Sequence, residues 1–563
     1  MLSMPLDGPI RLAFLAFKNA RLRRFLNDAP RARDVQREVL LSKLERCAES
    51  EFGRAHEFSK IRSVEDFRQR LPISTYEDFR PYIDRVMRGE VSAMFAPGTQ
   101  ILMYAMTSGT TAQPKHLPVT KEFYRQYRES WNFWGTGVYN DHRDLLTKKT
   151  LQLSSDWRQQ LAPSGVPCGN ISGLAAETRP IYTRSMFMLP ASIIRVTDPA
   201  AKHYTALRVA MTANDVGMII TANPSTLVEF AKRADAQRDV LLRDIHDGTL
   251  SEEMDVPGRV RDALRWRLRP KKRRARELEA IVRRTGKLYP RDFWPQMSVL
   301  AVWTGGSVGV YISQLEEFYG RTAIRDHGIS ASEARMSIPL SDNTPAGILD
   351  FRHQFFEFIP EAEIDSPSPT VLEAHELERD QNYFILLTTS AGIYRYNIYD
   401  VVRCVGYEGQ APLLVFLNKG KYFSSITGEK LSEHHVVAAV QQSFTDLKIP
   451  SATFTLAPVM DERPYYELLL EPGVHNGREV ELASVVQRRL TEQNWEYGEK
   501  CASGRIMPVR VREIPPGTWA ALRRDRSAAR GNFEEFKHPC LVSDFDFRAK
   551  LPIENLPVVA GNC

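Results

Sequence analysis

The sequence predicts an α/β fold: a large N-terminal domain of mixed β-sheets flanked by helices, then a smaller C-terminal α/β domain. Three observations predict it. At 563 residues the chain exceeds what one hydrophobic core supports. Short apolar runs open onto Gly/Ser/Thr loops and then onto helical spacing, as at 101–136 and 299–319. Lys419-Gly420-Lys421 then interrupts the chain, and shorter strand–helix alternation follows it. The boundary is set there, giving domains 1–418 and 419–563.

Composition narrows the function classes. Apolar residues make up 43% and charged residues 26%, as in ordinary globular proteins. Net charge is +6, from 75 basic and 69 acidic residues, too mild to argue for nucleic acid. Six cysteines (Cys47, Cys168, Cys404, Cys501, Cys540 and Cys563) are scattered with no C-x-x-C pair. That spacing argues against zinc or a disulfide framework and for reduced thiols in the cytoplasm. The apolar run Leu12–Phe17 is short and precedes its arginines, the reverse of a signal peptide, so an amphipathic first helix is expected. No run of about 18 apolar residues exists, so no membrane span is expected. A monomer is expected.

Taken in order, Val35, Val39, Leu40, Leu44 and Cys47 recur at helical spacing, and Glu51–His56 reads as a break. Ser63 and Thr75 read as helix caps with carboxylates in the next turn. Ile101–Met106 reads as a strand that empties into Thr107, Ser108, Gly109, Thr110 and Thr111, followed by Lys115. Four hydroxyls and a glycine suit a loop that wraps phosphate: the glycine admits close approach and the amides point inward. The stretch is not a Walker P-loop, because no second glycine precedes the lysine and no Ser or Thr follows it. A helix starting at Thr120 carries Phe123, Tyr124, Tyr127, Trp131, Phe133 and Trp134. These rings are either core or the wall of a pocket for an apolar acid.

Strands are expected at 151–153 and 216–220. The segments 186–189 and 193–196 are apolar, and a helix start is expected at Asn223-Pro224-Ser225. The basic run 259–285 reads as a solvated helical face. Val299–Trp303 reads as a strand opening onto Thr304, Gly305, Gly306 and Ser307. A helix and the strand Thr322–Asp326 follow, then His327 to Glu333. Such strand ends form the crevice where nucleotides bind. Beyond strand 383–388 lies Tyr394-Arg395-Tyr396-Asn397-Ile398-Tyr399-Asp400-Val401, where a carboxylate after a strand suits ribose hydroxyls. Glycine between Lys419 and Lys421 suits a hinge. His434 and His435 read as an exposed pair. Absence of G-x-S-x-G and of a cysteine in a nucleophile setting argues against a hydrolase.

Several of these stretches, in this order, resemble the auxin-responsive Gretchen Hagen family of acyl-acid amido synthetases, and a bacterial-type member of it. They are Phe52-Gly53-Arg54 with His56, Pro72-Ile73 and Tyr76-Glu77-Asp78, the hydroxyl-rich loop, Ser332-Glu333, Tyr394-Arg395-Tyr396 with Asp400, and Gly517-Thr518 followed by Phe536-Lys537-His538-Pro539. The family lies within the acyl-adenylate-forming, firefly-luciferase-like superfamily. The resemblance covers about residues 33–542. It implies a large adenylation domain and a mobile lid, an acyl-adenylate made from ATP and a carboxylic acid, and transfer to the amino group of an amino acid. Thioester formation with coenzyme A and a non-catalytic nucleotide-binding relative are the alternatives.

It implies catalytic roles for Lys115, Glu333 and Lys537, with Glu333 facing Mg²⁺ and Lys537 over the nucleotide when the lid closes. It further implies that Thr107, Ser108, Gly109, Thr110, Thr111, Gly305, Gly306, Ser332, Glu333, Asp400 and Lys430 hold the nucleotide. Two positions depart from the family pattern: Ile329 stands where the family has tyrosine, and Tyr399 where it has glycine.

Overall fold

The computed structural model describes residues 8–107, 115–305, 311–420, 423–424, 426, 429, 431–461, 464–502, 505–530, 537–551 and 559–560. It is a mixed α/β fold with a large N-terminal part and a smaller C-terminal one.

The N-terminal part is built on three sheets. One is wholly parallel, in the order Lys149–Gln152, Val216–Ile220, Val299–Val302, Ala323–Asp326. Its two central strands are apolar on both faces. Met218, Val299 and Ala301 join the main core, whereas the alternating Ile219, Leu300 and Val302 join a second one. The period-2 pleat thus explains why these runs read as unbroken hydrophobics. The second core is closed by helices Pro199–Ala210, Pro224–Ala236 and Arg238–Asp247. Asn223 starts the middle one as expected, its Oδ1 accepting from Ser225 N at 2.9 Å.

Helix Lys121–Asp141 covers the other face. Thr120 caps it, accepting from Phe123 N at 3.0 Å. Phe123, Tyr124, Tyr127, Phe133 and Trp134 are buried in the main core, and Trp131 packs against it. The seven-stranded antiparallel sheet includes Phe355–Pro360, Asn382–Thr388, Tyr396–Glu408 and Ala411–Lys419 in that spatial order. The third sheet holds the hairpin Ile101–Thr107 and Lys115–Thr120, with Thr107 opposite Lys115.

The C-terminal part has its own core, from Leu431 to Leu541, under helices Glu433–Asp446 and Glu479–Gln493. The apolar segment 186–189 meets the parallel sheet through a bridge between Phe187 and Thr150, and Ala191–Arg195 is a 3-10 turn. Two sequence expectations are corrected. Glu51–Ala55 is a short helix capped by Ser50, not a break. His434 and His435 are half-buried, and burial pushes His435 down to about 4. The basic run forms helices Gly258–Leu264 and Lys272–Thr285. There Arg273 and Arg274 pair with Glu277, and Arg274 also donates to the carbonyls of Met211 and Phe293.

Candidate active site

Three distant stretches converge on the strand that starts at Tyr396. Arg395, at φ 45°, turns its guanidinium back into the core. There it donates to Glu357 at 3.0 Å and to the carbonyls of Leu71 at 2.7 Å and Arg68 at 3.3 Å. Ser74 and Tyr396 form a parallel bridge, closed by Asn397 N donating to Ser74 O at 2.8 Å. Phe52 stacks on Tyr394 with centroids 5.4 Å apart. The N-terminal stretches that carried the resemblance are therefore the packing partners of the Tyr-Arg-Tyr segment. Arg395 is a buried clamp in an ion pair, not a surface ligand.

Tyr396 is the centre of the polar cluster. Lys115 Nζ donates to its hydroxyl at 3.3 Å and sits 5.1 Å from the ring centroid of Tyr76. The Tyr396 hydroxyl donates to Glu333 Oε1 at 3.4 Å. Burial, then the neighbouring Glu333 charge, raises the Tyr396 phenol far above its ordinary value. Glu333 is 5% exposed, and burial raises its carboxyl, opposed by Lys419 and Lys115. Lys419 Nζ lies 2.9 Å from Asp400 Oδ1. No hydrogen-bond geometry accompanies that approach, so it is a contact of charges. Lys115 and Lys419 thus flank a buried phenol and two buried carboxylates, Glu333 and Asp400, in one cluster.

Asp400 lies inside the strand Tyr396–Glu408, not after a strand as expected. The strand kinks between Val401 and Val402, which lets Asp400 face Lys419 opposite it. Tyr399 takes φ 60°, the left-handed region, where glycine is the unstrained residue. Its carbonyl accepts from Gly420 N at 2.7 Å. The backbone that the family pattern assigns to glycine is therefore kept by a tyrosine. Ile329 is 3% exposed and belongs to the main core, its amide donating to Ser337 Oγ at 2.9 Å. Ser332 is half-buried next to Glu333.

The carboxyl edge of the parallel sheet forms the neighbouring wall. Asp326, the last residue of its strand, accepts from Thr304 N at 2.6 Å and Gly328 N at 2.5 Å, and from the Thr304 hydroxyl. Burial raises its carboxyl to about 6 despite these bonds. Gly328 has φ 82°, and a Cβ there would lie 2.3 Å from Ser337 O, so only glycine fits. Gly305 packs against Trp303 and Phe416. From the C-terminal part, Lys537 Nζ rests 3.5 Å from the Trp303 ring centroid. Its segment is anchored by His538 Nε2 donating to Phe454 O at 2.9 Å.

Of the sequence-chosen residues, the fold brings Lys115, Glu333 and Asp400 into one cluster, with Ser332 beside it. Gly305 and Lys537 meet at Trp303. Thr107 is the last residue of its strand. Ser108, Gly109, Thr110, Thr111, Gly306 and Lys430 lie outside the described residues. The sequence reading missed Tyr396 as a hub, Lys419, Asp326 and Trp303. Alternation along 396–400 and the strand-end position of Asp326 were the available signals.

Among the described residues no group of three or more His, Cys, Asp or Glu side chains is arranged to hold a metal ion by itself. One buried carboxylate plus substrate phosphates is nevertheless a donor set that magnesium accepts, and Glu333 fits it.

Three family models match: the GH3 family N-terminal domain over residues 21–324, its central domain over 347–419 and its C-terminal domain over 434–545. Among curated relatives, the probable indole-3-acetic acid-amido synthetase GH3.2 of Oryza sativa subsp. japonica is 25% identical, covering 93% of this chain and 91% of the relative. Among solved structures, the GH3.15 acyl acid amido synthetase aligns with TM-score 0.84 at 20% identity, over 97% of this chain and 98% of that one. A 2-hydroxyisobutyryl-CoA ligase in the post-adenylation state aligns at 0.50 and 14% identity, over 91% of this chain and 90% of that one. With its N-terminal model alone spanning more than half its length, the chain belongs to the GH3 family and has the fold of an acyl acid amido synthetase.

Proposed function

We propose that this protein activates a carboxylic acid with ATP as an acyl-adenylate and then transfers the acyl group to the amino group of an amino acid. Family membership carries the amido synthetase activity. The observation that carries the placement of chemistry is the buried Lys115–Tyr396–Glu333–Asp400–Lys419 cluster beside the carboxyl edge of the parallel sheet. A site that brings a carboxylate up to a triphosphate must hold fixed positive potential, and two lysines converge there.

In the first step a carboxylate oxygen of the acid attacks the α-phosphorus in line. The bond to the bridging oxygen breaks, and pyrophosphate leaves with the electron pair. Lys115 stabilises the charge that gathers on the α-phosphate. Tyr396 holds that ammonium in place through its hydroxyl, which stays protonated and donates a hydrogen bond to Glu333. Asp400 aligns the ribose, which converts binding energy into orientation. Glu333, together with the phosphates, would hold magnesium, which would supply charge neutralisation there. In the second step the free amine, having lost one proton to solvent, attacks the acyl carbon. AMP leaves with the electron pair of the broken C–O bond, and the nitrogen gives up its second proton. No protein nucleophile is required.

Lys537 serves the first step from the C-terminal domain, and the chain turns at Gly420 between the two steps. The protein works as a monomer in the cytoplasm and is of the bacterial type. Pyrophosphate exchange over a panel of aryl, indole and aliphatic acids tests adenylation; no exchange with any acid rejects it. Mass analysis of a reaction with ATP, a positive acid, mixed amino acids and coenzyme A tests the second step. An acyl–amino acid product is expected, and exclusive acyl-CoA would reject the reading. The far better superposition on the amido synthetase than on the CoA ligase supports the amide.

A further inference from the structure

The basic run that the fold divides between helices Gly258–Leu264 and Lys272–Thr285 concentrates a charge that the chain as a whole conceals. Residues 258–287 hold thirteen basic and three acidic side chains, while the other 533 residues hold 62 and 66. Outside this segment the chain therefore carries a small negative charge.

The exposed cations share one side of helix Lys272–Thr285. Ala275 and Leu278 bury its other side in the second core, with Ile281 and Val282 packed against it. At about 100° per residue, Lys272, Arg276 and Arg283 fall within about 40° of one another on the far side, and Arg273 and Arg284 flank them. All five are exposed, and the half-buried Glu277 and Glu279 stand at the borders of that side. Among the described residues, only Arg273 of the five has a carboxylate partner, Glu277.

Turn 265–271 joins the two helices and projects. From Arg265 to Arg273 every residue is exposed except Leu268, which is half-buried. Trp266 is 69% exposed, with Arg265 Cζ 5.2 Å and Arg269 Cζ 5.9 Å from its ring centroid. The turn is held from beneath. Lys271 N donates to Ile245 O at 2.8 Å, and Pro270 packs on Gly248, where a Cβ would lie 2.5 Å from Pro270 Cδ. Arg261 and Arg274 donate to backbone carbonyls, among them Leu250 and Phe293, and anchor the segment.

A single exposed indole calls for no partner. An exposed indole set among unpaired cations is the composition of a surface that lies against anionic headgroups. Nucleic acid is the other polyanion such charge could serve. Reading base edges uses Asn and Gln, and stacking successive bases uses several rings. Residues 258–287 contain no Asn, no Gln and no aromatic besides Trp266. A projecting turn offers no groove for a strand, whereas it meets a plane well.

We propose that turn 265–271 and the cationic side of helix Lys272–Thr285 dock this protein on an anionic lipid bilayer. Trp266 seats at the boundary between headgroups and acyl chains, and the cations around it lie against the lipid phosphates. The attachment is peripheral, since no helix among the described residues is long and apolar enough to cross a membrane. It does not depend on the amide-forming reaction, and none of its residues belongs to the cluster around Tyr396.

Co-sedimentation of the full chain with vesicles tests it. Vesicles of phosphatidylcholine alone are compared with vesicles of equal parts phosphatidylcholine and phosphatidylserine, at about 0.1 M and about 1 M salt. Wild type is expected to bind the anionic vesicles more than about tenfold better than the neutral ones and to leave them at the higher salt. Each cation near such a surface strengthens binding about fivefold. Lys272→Gln, Arg276→Gln and Arg283→Gln together should therefore weaken it about a hundredfold. Trp266→Ala should weaken it about tenfold, the share of one buried apolar side chain. Brominated phosphatidylcholine in the anionic vesicles should quench wild-type emission and quench Trp266→Phe less. Circular dichroism of each variant should match wild type, which separates lost docking from lost folding. Four results would overturn the proposal: a wild type that binds neither vesicle or both alike, undiminished binding by the triple variant, Trp266→Phe quenched as strongly as wild type, or tighter binding of DNA than of anionic vesicles at equal phosphate concentration, which would assign the surface to nucleic acid. The first and the last need no variant to fold.

Discussion

The cluster around Tyr396 and the surroundings of Arg179, half-buried on the Phe187 ring and donating to Gln152 Oε1 at 2.6 Å, treat positive charge in opposite ways. At Tyr396 each cation has an anion or an acceptor close by: Lys419 has Asp400, and Lys115 has the phenol that leads to Glu333. At Arg179 the neighbouring charges are of the same sign. A balanced cluster can stay assembled without ligand and orient what arrives; an unbalanced one gains most of its favourable energy from the ligand. The proposed alignment of the nucleotide falls to the first.

That contrast breaks most visibly at Lys115. Lys115→Ala should slow pyrophosphate exchange by roughly a hundredfold to a thousandfold, the usual loss of about 3–4 kcal/mol for one preorganised electrostatic contact. A wild-type exchange rate would show that the balanced cluster is only scaffolding.

A third arrangement sharpens the comparison, because there the charges are entirely internal. His353 Nδ1 lies 2.7 Å from Asp350 Oδ1, and its Nε2 is 3.7 Å from Glu129. Burial lowers its pKa, but Asp350 and Glu129 outweigh burial and raise it to about 9. A raised folded-state value gives stability that is full below the unfolded value of about 6.5 and is lost as pH rises through about 9. The difference corresponds to about 3 kcal/mol. Thermal melts at pH 6.5 and 9.5 should show wild type losing this increment while His353→Gln does not. Equal pH dependence in the two proteins would remove the protonated histidine from the account.

Next in size is a backbone effect beside Lys419. A Cβ on Gly420 would lie 2.1 Å from the ring of Phe384, which is itself buried. Gly420→Ala should cost about 1–3 kcal/mol in a denaturant titration, as overpacking does. Phe384→Leu in the same chain should restore most of it. The smallest effect is at Lys537. Lys537→Ala is expected to slow adenylation about tenfold, roughly 1.4 kcal/mol, and to leave transfer from presynthesised acyl-adenylate less affected. Equal loss in both half-reactions would refute that division.

Much of the fold was readable because period and caps agree locally. The helix at Thr120 and the strand Val216–Ile220 appear where the capping residue and the apolar run place them. The cap at Ser63 accepts from Asp66 N as its position implied. Lys115, Glu333 and Asp400 were legible by order of motifs, yet their meeting was not. It depends on Arg395 reaching the carbonyls of Leu71 and Arg68, more than 300 positions away in the chain. Tyr399 misled for a related reason. A left-handed backbone usually announces itself by glycine, and here a tyrosine carries it because the Gly420 amide holds its carbonyl. Arg179 gave no signal in the sequence, since an arginine after a helix reads as solvent-facing until Phe187 is found beneath it.

The stack of Lys537 on Trp303 couples the position of the C-terminal domain to an emitting group. An ammonium against an indole changes its quantum yield, so withdrawal of Lys537 changes the emission of Trp303 without any added label. Eight tryptophans contribute to the spectrum, and subtracting the Lys537→Ala trace isolates this share. Stopped-flow emission after mixing with ATP and then with amine would thereby time the domain movement proposed between the two half-reactions, in the unmodified chain and in a single cuvette.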